Sequence, residues 1–204
     1  METKRYQRKD IEKVAALLKE GKVVAFPTDT VYGLAIIYEN EDALKALKKC
    51  KGRPENKPIP TMVSSLEQIQ QIAITDARIE AIAKTLMPGA LTIICKKQSW
   101  LPDYITNGFD TVAMRMPNDD FILHLIDLCE KPLLVTSANL SGEQPGKSAE
   151  EVLAQLDGRM DAIVMGSAQS SMASTIVDLS KEEMKIVREG MVSKKQIEEV
   201  IKKS

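Results

Sequence analysis

Short apolar runs alternate along the chain with amphipathic segments, and that alternation predicts an α/β protein. IEKVAALLKE carries apolar side chains at helical spacing, with Asp10 as its expected cap and Gly21 as its stop. KVVAFP predicts a strand closed by Pro27, TDTVYG a polar turn, and LAIIYE a second strand. EDALKALKKC predicts an amphipathic helix ending at Gly52. Residues 51–60, KGRPENKPIP, hold three prolines and a glycine and predict a loop. SSLEQIQQI and TDARIEAIAKTLM predict two helices, the second stopped by Pro88-Gly89. ALTIICKK and TVAMRMP read as strands, DDFILHLIDLCE as a helix whose acidic start suits its dipole, and PLLVTSAN as a buried strand entering the loop SGEQPGK. SAEEVLAQL predicts a helix with Ser148 as cap and Glu151 in the capping-box position. DAIVMG, STIVDLS and MKIVREG predict short strands, and SKKQIEEVIKK a final helix.

The pattern amounts to about seven or eight strands among about six helices. Several strands follow one another directly, so a mixed sheet with helices on its faces fits better than a barrel of eight parallel strands. No repeat, low-complexity tract or linker-like stretch interrupts it, and a single domain over 1–204 is expected.

Composition narrows the function classes. The chain has 204 residues, 28 Lys+Arg against 29 Asp+Glu, a net charge of −1 and 44 % hydrophobic residues. These values argue against disorder and against a disulfide scaffold. Near-zero charge argues against a general nucleic-acid binder, and three Phe, one Trp and four Tyr are few for base-stacking platforms. Cys50, Cys95 and Cys129 form no C-x-x-C pair, which excludes the usual zinc-finger spacing and suits a reducing compartment. METKRYQRKD lacks the apolar region of a signal peptide, and no apolar run approaches about 18 residues. A cytoplasmic protein with no membrane partner is expected.

Three segments concentrate chemistry. PTDTVYGLA crowds Thr28, Asp29, Thr30 and Tyr32 into a turn after a buried strand, where α/β proteins bind ligands. The same side chains can instead satisfy the turn's own backbone. KKCKGRPENKP sets Lys48, Lys49, Lys51, Arg53 and Lys57 against one acid, Glu55. Lys51 and Arg53 would point the same way on an extended backbone, which suits a triphosphate; a solvated surface run is the alternative. VTSANLSG places Ser137 and Asn139 two apart at a strand end, fit for a phosphate or nucleoside contact or for a local turn. Arg115 sits within a strand pattern and needs a carboxylate or a ligand, and Arg188 ends a strand before Gly190. Gly146-Lys147-Ser148 falls short of a P-loop, because Gly142 precedes Gly146 by one residue too few. His124, the one histidine, is flanked by Leu123 and Leu125 with no triad around it, and Cys50 beside the basic loop reads as an incidental thiol.

PTDTVYGLA, KGRPENKP, PGALTII, VAMRMP, TSANLSG, STIVDL and VREG stand in the order found in the YrdC-like threonylcarbamoyl-AMP synthases, over residues 22–190. The chain resembles that family over almost its whole length. The resemblance implies a twisted mixed sheet flanked by helices around a concave basic cavity. It implies L-threonine, bicarbonate and ATP as substrates, with Mg²⁺ accompanying ATP, and threonylcarbamoyl-AMP and pyrophosphate as products. A tRNA-modifying transferase complex would then pass the group to tRNA, with RNA contact as a further expectation. By position, Lys51, Arg53, Ser137 and Asn139 carry the catalytic role. Thr30, Arg115, Ser137 and Ser174 hold threonine. Arg53, Lys57, Thr111, Ser137, Asn139, Ser148 and Arg188 hold the nucleotide. Ala90 stands where many members carry a second proline. The chain runs fourteen residues past Gly190, which is similar to the short, single-domain type.

Rival classes remain distinguishable. A structured-RNA-binding module would show salt-sensitive RNA binding without turnover. Carbamoyl transfer, as in the larger hydrogenase-maturation relatives, would need zinc-finger and acylphosphatase regions for which 204 residues leave no room. A P-loop ATPase would collapse on Lys147→Ala.

Overall fold

The structure is a computed structural model describing residues 2–52, 54, 57–170 and 172–203. In chain order the strands are β1 (Lys4–Tyr6), β2 (Val24–Phe26), β3 (Gly33–Ile37), β4 (Thr61–Met62), β5 (Leu91–Lys96), β6 (Thr111–Arg115), β7 (Leu133–Ser137), β8 (Ala162–Val164), β9 (Thr175–Asp178) and β10 (Lys185–Arg188). The helices are α1 (Ile11–Lys19), α2 (Glu41–Lys51), α3 (Leu66–Ile72), α4 (Ala77–Leu86), α5 (Asp103–Thr106), α6 (Asp120–Cys129), α7 (Ala149–Leu156) and α8 (Lys194–Ile201). All ten strands join one mixed sheet in the order β1-β8-β2-β3-β7-β4-β6-β5-β9-β10.

Strand alternation sorts the side chains into two faces. One cross-sheet row runs Ile36–Leu134–Thr61–Met114–Ile93–Val177–Ile186, each residue in register with the next. Apart from Thr61 it is wholly apolar, and it packs in the larger core with α2, α3, α4, α7 and α8. One residue along each strand the other face begins: Ile37–Leu133–Met62–Arg115, then Thr92–Ile176–Arg188. On this second face α1 and α6 cover the β8-β2-β3-β7 side through Val14, Leu18, Phe121, Ile122 and Leu125. Among the described residues neither α1 nor α6 covers the β6-β5-β9 side, and there the row turns polar.

The helices begin where the side chains favour it. Asn40, Ser65, Asp76, Asp119, Ser148 and Ser193 each accept a backbone N–H in the first turn of the following helix, about 1 kcal/mol apiece. Asp10 departs from expectation. Its backbone is already close to helical because a 3₁₀ turn over Arg8–Asp10 precedes α1, so its carboxylate turns back to accept the Gln7 amide and Lys13. Glu151 also departs: its carboxylate accepts the Lys147 amide rather than closing a capping box on Ser148. The described residues form ten strands and eight α-helices, more than the expected count; β1, β4 and α5, pieces of three, two and four residues, lie outside the segments that the pattern predicted. Such pieces are too short to show a period.

Candidate active site

The uncovered part of the second face forms a cavity of about 530 Å³, a size suited to a small-molecule site. Thr30, Thr92, Thr111, Ser137 and Ser174 bring hydroxyls to it, and Ile94, Ala113 and Ile176 pave its floor. Among the described lining residues the charged ones are Arg115 and Arg188.

Arg115 is 5 % exposed and held from three sides. Its Nε donates to the Gly89 carbonyl at 3.1 Å, Nη1 to Thr30 Oγ1 at 2.7 Å and Nη2 to Asp29 Oδ1 at 2.6 Å. The second carboxylate oxygen of Asp29 accepts the Asn118 amide at 3.1 Å. The guanidinium is therefore locked in place, with one N–H left on each terminal nitrogen, the number a bidentate carboxylate needs. Burial pulls the Arg115 pKa below its usual value; Asp29 pulls it back up and nearby Arg188 lowers it further. The Thr28–Thr30 turn does both things its sequence allows. Thr28 Oγ1 takes the Thr30 amide at 3.0 Å and donates to the Val31 carbonyl at 2.7 Å, while Thr30 is turned toward Arg115.

Arg188 finds no carboxylate among the described residues. Its Nε and Nη2 donate to the Ser174 carbonyl at 3.0 and 2.8 Å, and Nη2 also reaches Ser174 Oγ at 3.2 Å. Gly190 makes this possible. A Cβ there would lie 2.4 Å from the Thr175 nitrogen and 2.5 Å from the Ala173 oxygen. Only a glycine lets the end of β10 lie that close to the start of β9. Partial desolvation lowers the Arg188 pKa as well, although the residue as a whole is exposed. Two guanidiniums facing one cavity favour an anionic ligand.

The basic segment folds differently from its extended reading. Lys51 is the last residue of α2, and Gly52 ends the helix in the left-handed region at φ 61°. Helical rather than extended backbone therefore aims Lys51, and Arg53 lies outside the described residues. Lys51 is 3 % exposed and reaches the end of β7 and the loop after it, where its Nζ donates to the Ser137 carbonyl at 2.6 Å, the Asn139 carbonyl at 2.8 Å and Asn139 Oδ1 at 2.9 Å. The amide of Asn139 donates onward to the Leu140 and Glu143 carbonyls. Lys51 and Asn139 thus hold the end of β7, where Ser137 meets the cavity wall.

The expected site residues therefore divide. Thr30, Thr111, Arg115, Ser137, Ser174 and Arg188 line one cavity. Lys51 and Asn139 stand directly behind its wall. Lys57 is exposed on the loop before β4, its amide bonded to the Pro54 carbonyl. The Ser148 hydroxyl caps α7, accepting the Glu151 amide at 3.3 Å. Lys147 is exposed, and its amide donates to Glu151 Oε2 at 2.8 Å. His124 lies exposed on α6. All three thiols are buried, and burial pushes Cys50 up to about 11, Cys95 to about 12 and Cys129 to about 11. Asp29 and Thr92 are absent from the expected set. Asp29 adjoins Thr30 in the first motif, and the alternation of LTIIC already puts Thr92 on the face opposite Leu91, Ile93 and Cys95.

The family model Sua5_yciO_yrdC, described as telomere recombination, matches residues 16–190. The chain is 38 % identical over 189 residues to the threonylcarbamoyl-AMP synthase of Pyrococcus abyssi (strain GE5 / Orsay), covering 92 % of this chain and 56 % of that protein. It is 38 % identical over 195 residues to the threonylcarbamoyl-AMP synthase of Bacillus subtilis (strain 168), covering 94 % and 56 %. The crystal structure of P. abyssi Sua5 complexed with L-threonine superposes with a TM-score of 0.91 at 36 % identity, over 98 % of this chain and 60 % of that one. The chain thus spans little more than half the length of the curated relatives it matches.

Proposed function

This chain belongs to the Sua5/YciO/YrdC family, and on that footing we propose that it is an L-threonylcarbamoyladenylate synthase. Its substrates are L-threonine, bicarbonate and ATP, and its product serves threonylcarbamoyl-adenosine modification of tRNA by a transferase complex in the cytoplasm. No helix among the described residues is long and apolar enough to cross a membrane. The observation that carries the proposal is the convergence of Thr30, Arg115 and Ser174 with Thr111, Ser137 and Arg188 on one cavity.

The threonine amine takes up the bicarbonate carbon, with loss of water, to give a carbamate. A carbamate oxygen then bonds to the α-phosphorus of ATP, and the bond to the bridging oxygen breaks to release pyrophosphate. Both reactants are anionic, so the barrier is chiefly repulsion and alignment. Arg115, fixed by Asp29, Thr30 and Gly89, grips the threonine carboxylate, with Thr30 and Ser174 beside it. Ser137, at the end of β7 that Lys51 and Asn139 hold, faces the reacting phosphate, and Thr111 and Arg188 serve the nucleotide. Arg53, Lys57 and Ser148 join the nucleotide set on the family pattern alone. Mg²⁺ bound to ATP would supply charge neutralisation on the triphosphate. The described lining offers hydroxyls and guanidiniums without a carboxylate, a donor set that fits a metal carried by its nucleotide.

Pyrophosphate release from ATP, with threonine and bicarbonate omitted in turn, tests the reading. Release that needs both is the expected result. Release indifferent to threonine, or RNA binding with no turnover, overturns it.

A further inference from the structure

Thr92 stands outside the residue set that the family pattern supplies, yet it lines the same cavity. It is 3 % exposed, lies in β5 and is in register with Ile176 of β9 and, through it, with Arg188 of β10. Its Oγ1 is 2.8 Å from Ser174 Oγ, and both residues line the cavity. A threonine in a strand is often there for its β-branched shape alone. Three facts point further here. The hydroxyl is buried, it is bonded from β5 to the residue just before β9, and its partner is the same oxygen that Arg188 reaches at 3.2 Å.

Counting protons gives the consequence. Arg188 can only donate, so it occupies one acceptor position of Ser174 Oγ. The two hydroxyls share two protons, and one of these lies in the bond between them. The pair therefore presents a single O–H to the cavity, from Ser174 if Thr92 donates to it, or from Thr92 if Ser174 donates. With Arg188 and Thr92 both donating to Ser174, its own proton can only point away from them, toward a ligand acceptor. Each donation also polarises the Ser174 hydroxyl and strengthens the bond it gives.

We propose that Thr92 is a positioning residue for the amino-acid end of the site, holding the Ser174 hydroxyl in the rotamer that donates to the anionic group of threonine. This rests on the synthase reading above and deepens it. The test compares the full chain with Thr92→Val, which keeps the shape and removes the hydroxyl, with Thr92→Ser, which keeps the hydroxyl, with Ser174→Ala, and with the double variant Thr92→Val/Ser174→Ala. The measurements are threonine KM, ATP KM, kcat and calorimetric L-threonine binding.

Loss of one orienting hydrogen bond predicts a roughly three- to tenfold rise in threonine KM and Kd for Thr92→Val. ATP KM and kcat should change by less than about twofold, because the altered hydrogen bond faces the amino acid. Thr92→Ser restores wild-type values. The double variant matches Ser174→Ala alone, since Thr92 acts through Ser174. An unchanged threonine affinity in Thr92→Val overturns the proposal, as do losses that multiply in the double variant or a Thr92→Ser that fails to rescue. Wild-type protein that neither binds threonine nor releases pyrophosphate with it overturns the synthase reading itself. Wild-type turnover with an indifferent Thr92→Val overturns the positioning role alone.

Discussion

The two ends of one sheet face were given opposite tasks. Where β2, β3 and β7 present Val24, Ala35, Ile37, Leu133 and Val135, α1 and α6 close over them, and Phe121, Ile122 and Leu125 complete a dry core. Where β6, β5 and β10 continue the same face, Arg115, Thr92 and Arg188 replace the aliphatics, and the face stays open as the cavity. The sealed end gains its stability from area removed from water. The open end depends on directed bonds: Arg115 to Asp29, Thr30 and Gly89, and Arg188 to Ser174. The first tolerates changes of shape at a graded cost. The second leaves a charge stranded when one partner is lost.

The largest expected difference follows directly. Asp29→Ala strands the buried Arg115 and should cost about 3–5 kcal/mol, read by denaturant unfolding. It should also abolish threonine-dependent turnover. Ile122→Ala on the sealed end should cost a similar ~2–5 kcal/mol through its cavity, while turnover per folded molecule stays at the wild-type level. If Ile122→Ala impairs catalysis as deeply as Asp29→Ala does, the two ends are not separate.

Lys51→Ala comes next, with kcat falling about ten- to a thousandfold, because the Ser137 end of β7 loses the ammonium that ties it to α2. Arg115→Ala should act mainly on threonine, raising its KM with a smaller effect on that of ATP. A threonine KM that does not move would remove Arg115 from the carboxylate role. Ser148→Ala should lower stability by about 1 kcal/mol through the α7 cap, whereas exposed Lys147→Ala should change neither stability nor ATP turnover.

The smallest expected effect is chemical. With their thiols pushed up to about 11, 12 and 11 by burial, Cys50, Cys95 and Cys129 stay protonated at pH 8. A thiol reagent at that pH should leave the native protein unlabelled and react with all three after unfolding. Rapid native labelling of Cys50 would show that the end of α2 opens.

Much of this was legible in the sequence. The alternation in ALTIICKK and TVAMRMP located β5 and β6, and the helical spacing of DDFILHLIDLCE located α6 with Asp119 just before it. Six expected site residues meet in one cavity: Thr111 and Arg115 bound β6, Ser137 and Arg188 end β7 and β10, and Thr30 and Ser174 lie in the segments before β3 and β9, with Thr111 and Ser174 expected on the family resemblance alone. The β1 and β4 strands were not legible, since a pair such as Thr61–Met62 is a strand only because β6 and β7 flank it. The partnership of Arg115 with Asp29 spans 86 positions, and that of Thr92 with Ser174 spans 82. No local pattern encodes either.

The sequence by itself therefore determined which of the longer segments become helices and strands, and which of their side chains share a face; β1, β4 and α5 were left to the packing. Those outcomes follow from spacing of two or 3.6 residues and from capping groups within a few positions. Tertiary structure alone decided which half of the face is covered, which cation meets which carboxylate, and which hydroxyls pair. The order of the strands in the sheet brings those groups within bonding distance, and it is settled by the packing of the whole chain rather than by any stretch of it.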